Sequence, residues 1–310
     1  MKKSGYIALV GRPNSGKSTL LNALLESELS IVSRKAQTTR ERVAGILSQP
    51  RGQIVFLDTP GIHRAKEGGL NQFMVAESKR ALESPHIVWY LVDPFSTEKH
   101  EQIVIDLLAE SAIVVEKIPV ILLMNKIDPE TKVREQELFS FEGTLRDLLL
   151  NSGLNLVNTY RISGKFKKGT SNLLEECWNL LPEGVPFFQD REQLSDRPLR
   201  FFVSEKIRKN LFVHLGEEVP YSCSVQIERF DETSIPQRIE ATVFVERDSQ
   251  KGIVIGKNGQ KIKQIGQSSR TDIEELLGAR VFLGLKVKVL EDWSQNLTHL
   301  QTLGYQKGRT

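Results

Sequence analysis

Short solid runs of apolar residues alternate with longer mixed stretches over the first 180 or so positions. The solid runs Tyr6–Val10, Val43–Ser48, Gln53–Leu57, His86–Val92, Val120–Asn125 and Leu156–Ile162 read as strands buried on both faces. The mixed stretches Lys17–Leu25, Gly69–Leu82, Thr97–Glu110, Val133–Leu150 and Thr170–Leu181 read as helices. This alternation predicts a doubly wound, mostly parallel α/β sheet with its ligand at the carboxyl ends of the strands. The turn Gln49-Pro50-Arg51-Gly52 joins two of the strands as a hairpin, so one edge strand should be antiparallel. After Leu181 the pattern breaks. Pro182-Glu183-Gly184-Val185-Pro186 cannot continue a helix, and the stretch to Pro198 is polar and irregular. A new helix starts at Leu199. Strands Ser224–Phe230 and Arg238–Glu246, a glycine loop, two helical segments and strand Val281–Leu290 follow. The organisation expected is a domain over 1–181, a linker over 182–198 and a second domain over 199–310.

The densest chemistry lies in Gly11-Arg12-Pro13-Asn14-Ser15-Gly16-Lys17-Ser18, which fits the G-x-x-x-x-G-K-[ST] phosphate-binding loop between a strand and a helix. Its glycines let the backbone wrap phosphates, and the helix start offers N–H groups and a positive dipole end, with Thr19 in the first turn. Lys17 would reach the β- and γ-phosphates, and Ser18 would place its hydroxyl on Mg²⁺. Asp58-Thr59-Pro60-Gly61 ends a strand. Asp58 can hold the metal through water, and the Gly61 N–H can meet the γ-phosphate. Asn125-Lys126-Ile127-Asp128 ends another strand. Asp128 can accept from guanine N1–H and the 2-amino group, a donor pair that adenine lacks, while Lys126 lays its stem along the base. Ser163, Gly164 and Lys165 would offer backbone N–H groups to guanine O6.

Gly256-Lys257-Asn258-Gly259 fits the GXXG of a KH domain, whose loop clamps about four nucleotides. Ile255, Lys257, Lys261 and Lys263 surround it. Ile253, Val254, Ile255 and Ile262 are expected to pack the helices and floor the groove for unstacked bases. Residues 245–290 carry nine Lys or Arg against five Asp or Glu, a basic surplus that suits RNA. The α-β-β-α-α-β order resembles a type II KH domain.

The nucleotide segments resemble the translation-factor-like class of P-loop GTPases. Ser33-Arg34-Lys35-Ala36-Gln37-Thr38-Thr39-Arg40 narrows the resemblance to the Era family of ribosome-assembly GTPases. It covers the chain from Gly11 to about Trp293. It implies a P-loop GTPase domain followed by an α+β type II KH domain. It also implies that Thr39, or Thr38 in its place, closes over Mg²⁺ in the GTP state. Gly164 departs from the alanine usual in the family. Ile62 stands where many small GTPases carry a glutamine that orients water. Similar GTPases with an apolar residue there hold K⁺ with a loop asparagine, which assigns that role to Asn14 and a share of catalysis to Asn14, Lys17 and Thr39. The resemblance makes GTP and GDP, the 3′ end of small-subunit (16S) ribosomal RNA and the 30S subunit the partners, with no DNA. It places Lys307 and Arg309 near RNA. Alternatives are a GTPase acting on tRNA modification or large-subunit assembly, and a GTP-bound RNA adaptor with negligible turnover.

Of the 310 residues, 39% are hydrophobic and 26% charged, with a net charge of +3, so overall charge selects no partner. Cys177 and Cys223 lack metal-ligand spacing and read as thiols in a reducing compartment. The longest apolar run, Ile87 to Val92, is far short of a membrane span, and the apolar stretch after Met1-Lys2-Lys3 is too short for a signal peptide. The expected location is the cytoplasm. Peripheral membrane association is open to the family, but the sequence holds no amphipathic anchor.

Overall fold

The structure, a computed structural model, describes all residues except 34, 36, 37, 63–67, 129, 131, 133, 217 and 306–310. In chain order the elements are β1 (Lys3–Gly11), α1 (Lys17–Leu25), β2 (Val43–Gln49), β3 (Gly52–Asp58), α2 (Gly69–Arg80) and β4 (Ile87–Val92). Then come α3 (Glu98–Ala109), α4 (Ala112–Val115), β5 (Pro119–Met124), α5 (Glu135–Asn151), β6 (Asn155–Arg161) and α6 (Thr170–Leu180). The remainder is α7 (Leu199–His214), β7 (Ser224–Asp231), β8 (Gln237–Val245), α8 (Asp248–Ile255), α9 (Gln260–Leu277), β9 (Val281–Val289) and α10 (Leu297–Thr302).

Contacts divide the chain into two units. The first comprises residues 1–30, 39–66 and 74–196, and the second 31–38, 67–73 and 197–310.

The first unit is built on a six-stranded sheet in the order β2-β3-β1-β4-β5-β6. Every neighbouring pair is parallel except β2 and β3, which the turn after Gln49 makes antiparallel. Each residue of β4 is fully buried, because β1 and β5 flank it and helices cover both faces. β3 and β4 lie on either side of β1, so the strand order reverses at β1 and opens a crevice at its carboxyl end.

The stretch after α6 is not a loose connector. Gly184 N–H donates to Lys2 O at 2.9 Å, and the Gln53 amide is paired at both ends with the backbone of Phe188, at 3.0 and 3.1 Å. Ile46 N–H donates to Leu194 O at 2.9 Å, and Ser195 Oγ to Ala44 O at 2.5 Å. The segment straps the open edge of β2 and satisfies groups that an edge strand would otherwise leave bare.

The second unit has a three-stranded sheet, β7-β8-β9, with β7 antiparallel and β9 parallel to β8. Val203, Ile207 and Leu211 of α7, Val254 of α8, and Ile265 and Ile273 of α9 pack with Ile239, Val243 and Val245 of β8 in one core. The stretch after Trp293 forms α10. Asn296 caps it by accepting from Thr298 and His299 N–H, Trp293 Nε1 donates to Ser222 O at 2.9 Å, and Tyr305 stacks on Trp293. Lys307 and Arg309 lie outside the described residues.

Candidate nucleotide site and RNA-binding loop

The crevice is floored by the loop from Gly11 to Gly16. Gly16 has φ 96, and a Cβ there would stand 2.2 Å from Asn125 Nδ2, so only glycine lets the loop pass so close to the end of β5. Asn14 (φ 64) is exposed at the crest. Arg12 and Pro13 line the rim, while Ser15 is buried beneath them. Lys17 is buried, and its Nζ donates to Gly11 O and Arg12 O at 3.0 Å each. Burial pushes its ammonium down to about 8, against the upward pull of Asp58 and Glu101.

Three side chains from separate segments converge beside it. Ser18 Oγ donates to Asp58 Oδ2 at 2.7 Å and lies 3.1 Å from Thr39 Oγ1. Burial raises the Asp58 carboxyl above its usual range, with Lys17 and Ser18 pulling it back down. Asp58 Oδ1 and the nearby Ser30 Oγ are buried without a hydrogen-bond partner. Two hydroxyls and a carboxylate with a spare buried lone pair form an oxygen donor set of the kind Mg²⁺ takes. Thr38 Oγ1 instead donates to Ile31 O at 3.1 Å, so of the two threonines only Thr39 joins this group.

The Asp58–Gly61 turn is fixed against the loop. Thr59 Oγ1 donates to Leu9 O at 2.7 Å, Ile62 N–H to Gly11 O at 3.1 Å, and Ser78 Oγ of α2 to Pro60 O at 3.1 Å. Ile62 is buried in the core cluster of the sheet, so its side chain is turned away from solvent.

On the base side, the Asn125 amide bridges two loops. Nδ2 donates to Ser15 O at 2.8 Å, and Oδ1 accepts Gly164 N–H at 2.9 Å. Asn125 therefore sets the spacing of the phosphate and base loops through its side chain. Ser163 Oγ donates to Asp128 Oδ1 at 2.5 Å and orients the carboxylate. Lys126 (φ 62) pairs with Asp93 Oδ2 at 2.6 Å, and the Lys165 side chain is exposed. Sequence reasoning missed Asp93, although it ends the apolar run of β4 as Asp58 and Asp128 end or follow theirs. It also missed Glu101. That side chain is buried behind the loop, accepting from Tyr90 Oη at 2.7 Å and Ser96 Oγ at 2.5 Å, and burial raises its carboxyl.

In the second unit, α8 stops at Gly256 (φ 72), where a Cβ would stand 2.5 Å from Lys261 Cβ. Asn258 (φ 51) and Gly259 (φ 73) turn the chain into α9. Lys257, Asn258 and Lys263 are exposed, with Ile255 and Lys261 half-buried. Beside the loop runs a groove of about 500 Å³ lined by Pro236, Ile262, Lys263, Arg270, Phe282 and Leu285, among others. Ile262 floors it as expected and Val254 is buried in the core. Ile253 corrects the expectation, because it is 50% exposed and does not line the groove. Three consecutive apolar residues on one helix cannot all face inward at 100° per residue.

A family model described as "50S ribosome-binding GTPase" matches residues 6–126, and one described as "KH domain" matches 218–294. The chain is 39% identical over 306 residues to GTPase Era of Carboxydothermus hydrogenoformans, covering 98% of both chains. It belongs to the GTPase Era family. GTPase Era of Thermoanaerobacter pseudethanolicus is 40% identical over 310 residues, with 98% of this chain and 96% of that one covered. Two solved Era structures superimpose over 98% of this chain and 99% of theirs. One is a point variant from Aquifex aeolicus bound to GDP·AlF4⁻ (TM-score 0.88, 33% identity). The other is Era in complex with MgGDPNP and nucleotides 1506–1542 of 16S ribosomal RNA (TM-score 0.89, 34% identity). The fold is thus an Era GTPase domain followed by a KH domain, and the Era chain is an enzyme of the GTPase class. Among the described residues, no helix is long and apolar enough to cross a membrane.

Proposed function

We propose that this Era-family chain is a GTP-driven switch that binds the 3′ end of small-subunit rRNA through its KH domain and assists 30S assembly. The observation carrying the nucleotide half is the convergence of Ser18, Thr39 and Asp58 from three separate segments on one point beside buried Lys17. The RNA half rests on the GXXG loop, its groove, and the Era relative bound to a 16S fragment.

The main-chain N–H groups from Asn14 to Thr19 cradle the phosphates, and Lys17 moves its charge from loop carbonyls onto phosphate oxygens. Ser18 and Thr39 would hold Mg²⁺, with Asp58 supporting it from behind, and the ion would neutralise charge on the β- and γ-phosphates. Gly61 N–H meets the γ-phosphate. Asp128, oriented by Ser163, accepts from guanine N1–H and the 2-amino group. Lys126, steered by Asp93, lies on the base, and Gly164 and Lys165 close its far edge. Water attacks the γ-phosphate in line, giving GDP and phosphate.

Buried Ile62 cannot orient that water, so the charge that speeds the step comes from elsewhere. Asn14, exposed at the crest of the loop, would hold K⁺ there. Lys257, Lys261 and Lys263 meet RNA phosphates, Gly256 and Gly259 admit them to the backbone, and Ile255 borders the loop. The assignment predicts a soluble cytoplasmic protein whose contact with a membrane, if any, is peripheral.

Phosphate release in K⁺ and in Na⁺, with and without small subunits, tests this reading. Slow turnover that K⁺ and small subunits each accelerate supports it. Equal rates in the two salts remove Asn14 from catalysis, and equal rates with tRNA or large subunits contradict the partner.

A further inference from the structure

One surface loop continues past the base site, beyond the Lys165 backbone that closes it. Lys165, Phe166, Lys167 and Lys168 follow Ser163-Gly164, and all four are exposed. The loop is nonetheless fixed. Ser163 N–H donates to Lys168 O and Lys168 N–H to Ser163 O, at 3.1 Å each. Phe166 N–H donates to Ser163 Oγ at 3.2 Å, and Lys167 (φ 54) and Gly169 (φ 77) hold left-handed backbone. Lys165 Nζ stands 4.8 Å over the Phe166 ring, and Lys167 Nζ meets Glu26 at 2.6 Å. Solvated lysines alone would need neither a stiff turn nor an aromatic ring left 48% exposed among them. An exposed ring with one lysine over it and two more lysines next to it in the chain suits an unstacked base with its flanking phosphates.

The geometry points to a second RNA contact, on the GTPase unit. Phe166 stacks one unpaired base, and Lys165, Lys167 and Lys168 meet the neighbouring phosphates. Only the class of partner rests on the reading above, since the GXXG loop shares no residue with this one.

The test uses the double variant Phe166→Ala, Lys168→Ala in the full chain, in wild-type and in Lys257→Asp, Asn258→Asp backgrounds. Each is titrated with a labelled single-stranded fragment of the rRNA 3′ end over a salt series. Loss of one stacked base should weaken binding at least about fivefold in both backgrounds. The slope of log K against log salt should shrink by about 0.7 for the lysine removed. GDP affinity and melting temperature should hold. If Phe166→Ala lowers melting, Phe166→Leu should still lose the affinity and Phe166→Tyr restore it. Unchanged affinity and slope in both backgrounds would overturn the contact. So would unchanged RNA affinity together with lost binding to phosphatidylglycerol vesicles. A GXXG variant that keeps full affinity while the loop variant loses it would fail the KH reading but leave this one standing.

Discussion

Raising the pH from about 7 to about 8.8 should weaken GDP binding while making the unliganded protein more stable. Both effects come from Lys17, whose ammonium is buried and held at about 8. Its folded value lies below its unfolded value of 10.5, so between these limits the unfolded chain binds more protons and stability rises with pH. Below about 8 the fold carries a buried cation at a cost of about 3 kcal/mol. Bound phosphates stabilise that cation, so the complex needs the proton that the free protein sheds. Lys17 is about nine-tenths charged at pH 7 and about one-seventh charged at pH 8.8, so the GDP dissociation constant should rise about sixfold, or ~1 kcal/mol. The assay is fluorescence titration with a labelled GDP at constant ionic strength, beside thermal melts over the same range. This range stays below the loss of the guanine N1 proton. Cys177 is pushed up to about 12 by its burial, so it does not move in the window. An affinity flat across this range, in protein whose melting is intact, would refute the argument.

Further outcomes follow from the turn and the bracket. Gly61→Ala would put a Cβ 2.5 Å from Pro13 N, so the turn must lift from the loop. Titration should show GDP affinity within about twofold of wild type, but a GTP analogue bound at least about tenfold more weakly, with turnover lost. Asn125→Ala strands the buried Ser15 carbonyl and Gly164 N–H, and urea unfolding should register a loss of about 2–4 kcal/mol together with weaker GDP binding. Gly164→Ala, the alanine usual in the family, brings a methyl 3.2 Å from Leu20 Cα and Cβ. A small shift of α1 should absorb it, leaving GDP affinity within about twofold by the same titration.

How much of this was legible in the sequence depended on the distance between partners. β1, the phosphate loop and α1 are contiguous, and each local signal there agrees with the next. The same holds for α8, its glycine turn and α9. The strap over β2 was not legible, because Gln53 and Phe188 are far apart in sequence and nothing in either residue names the other. Asp93 and Glu101 escaped notice because single acids at a strand end or on a helix are common. What distinguishes them is a partner, Lys126 or Tyr90, that only the folded sheet brings near. The short helix α10 is only six residues long, too short for the spacing of Leu297 and Leu300 to stand out, and it depends on the Asn296 cap and on Trp293 and Tyr305.

The central claim is that a phosphate-gripping loop is paired with a carboxylate that chooses guanine. Parallel titrations of GDP, ADP and XDP against wild-type chain and Asp128→Asn test it most directly. The account predicts that wild type prefers GDP over ADP by at least about a thousandfold, and that the variant turns from guanine toward xanthine. Equal binding of GDP and ADP by the wild type, or a variant that still prefers GDP, would contradict it.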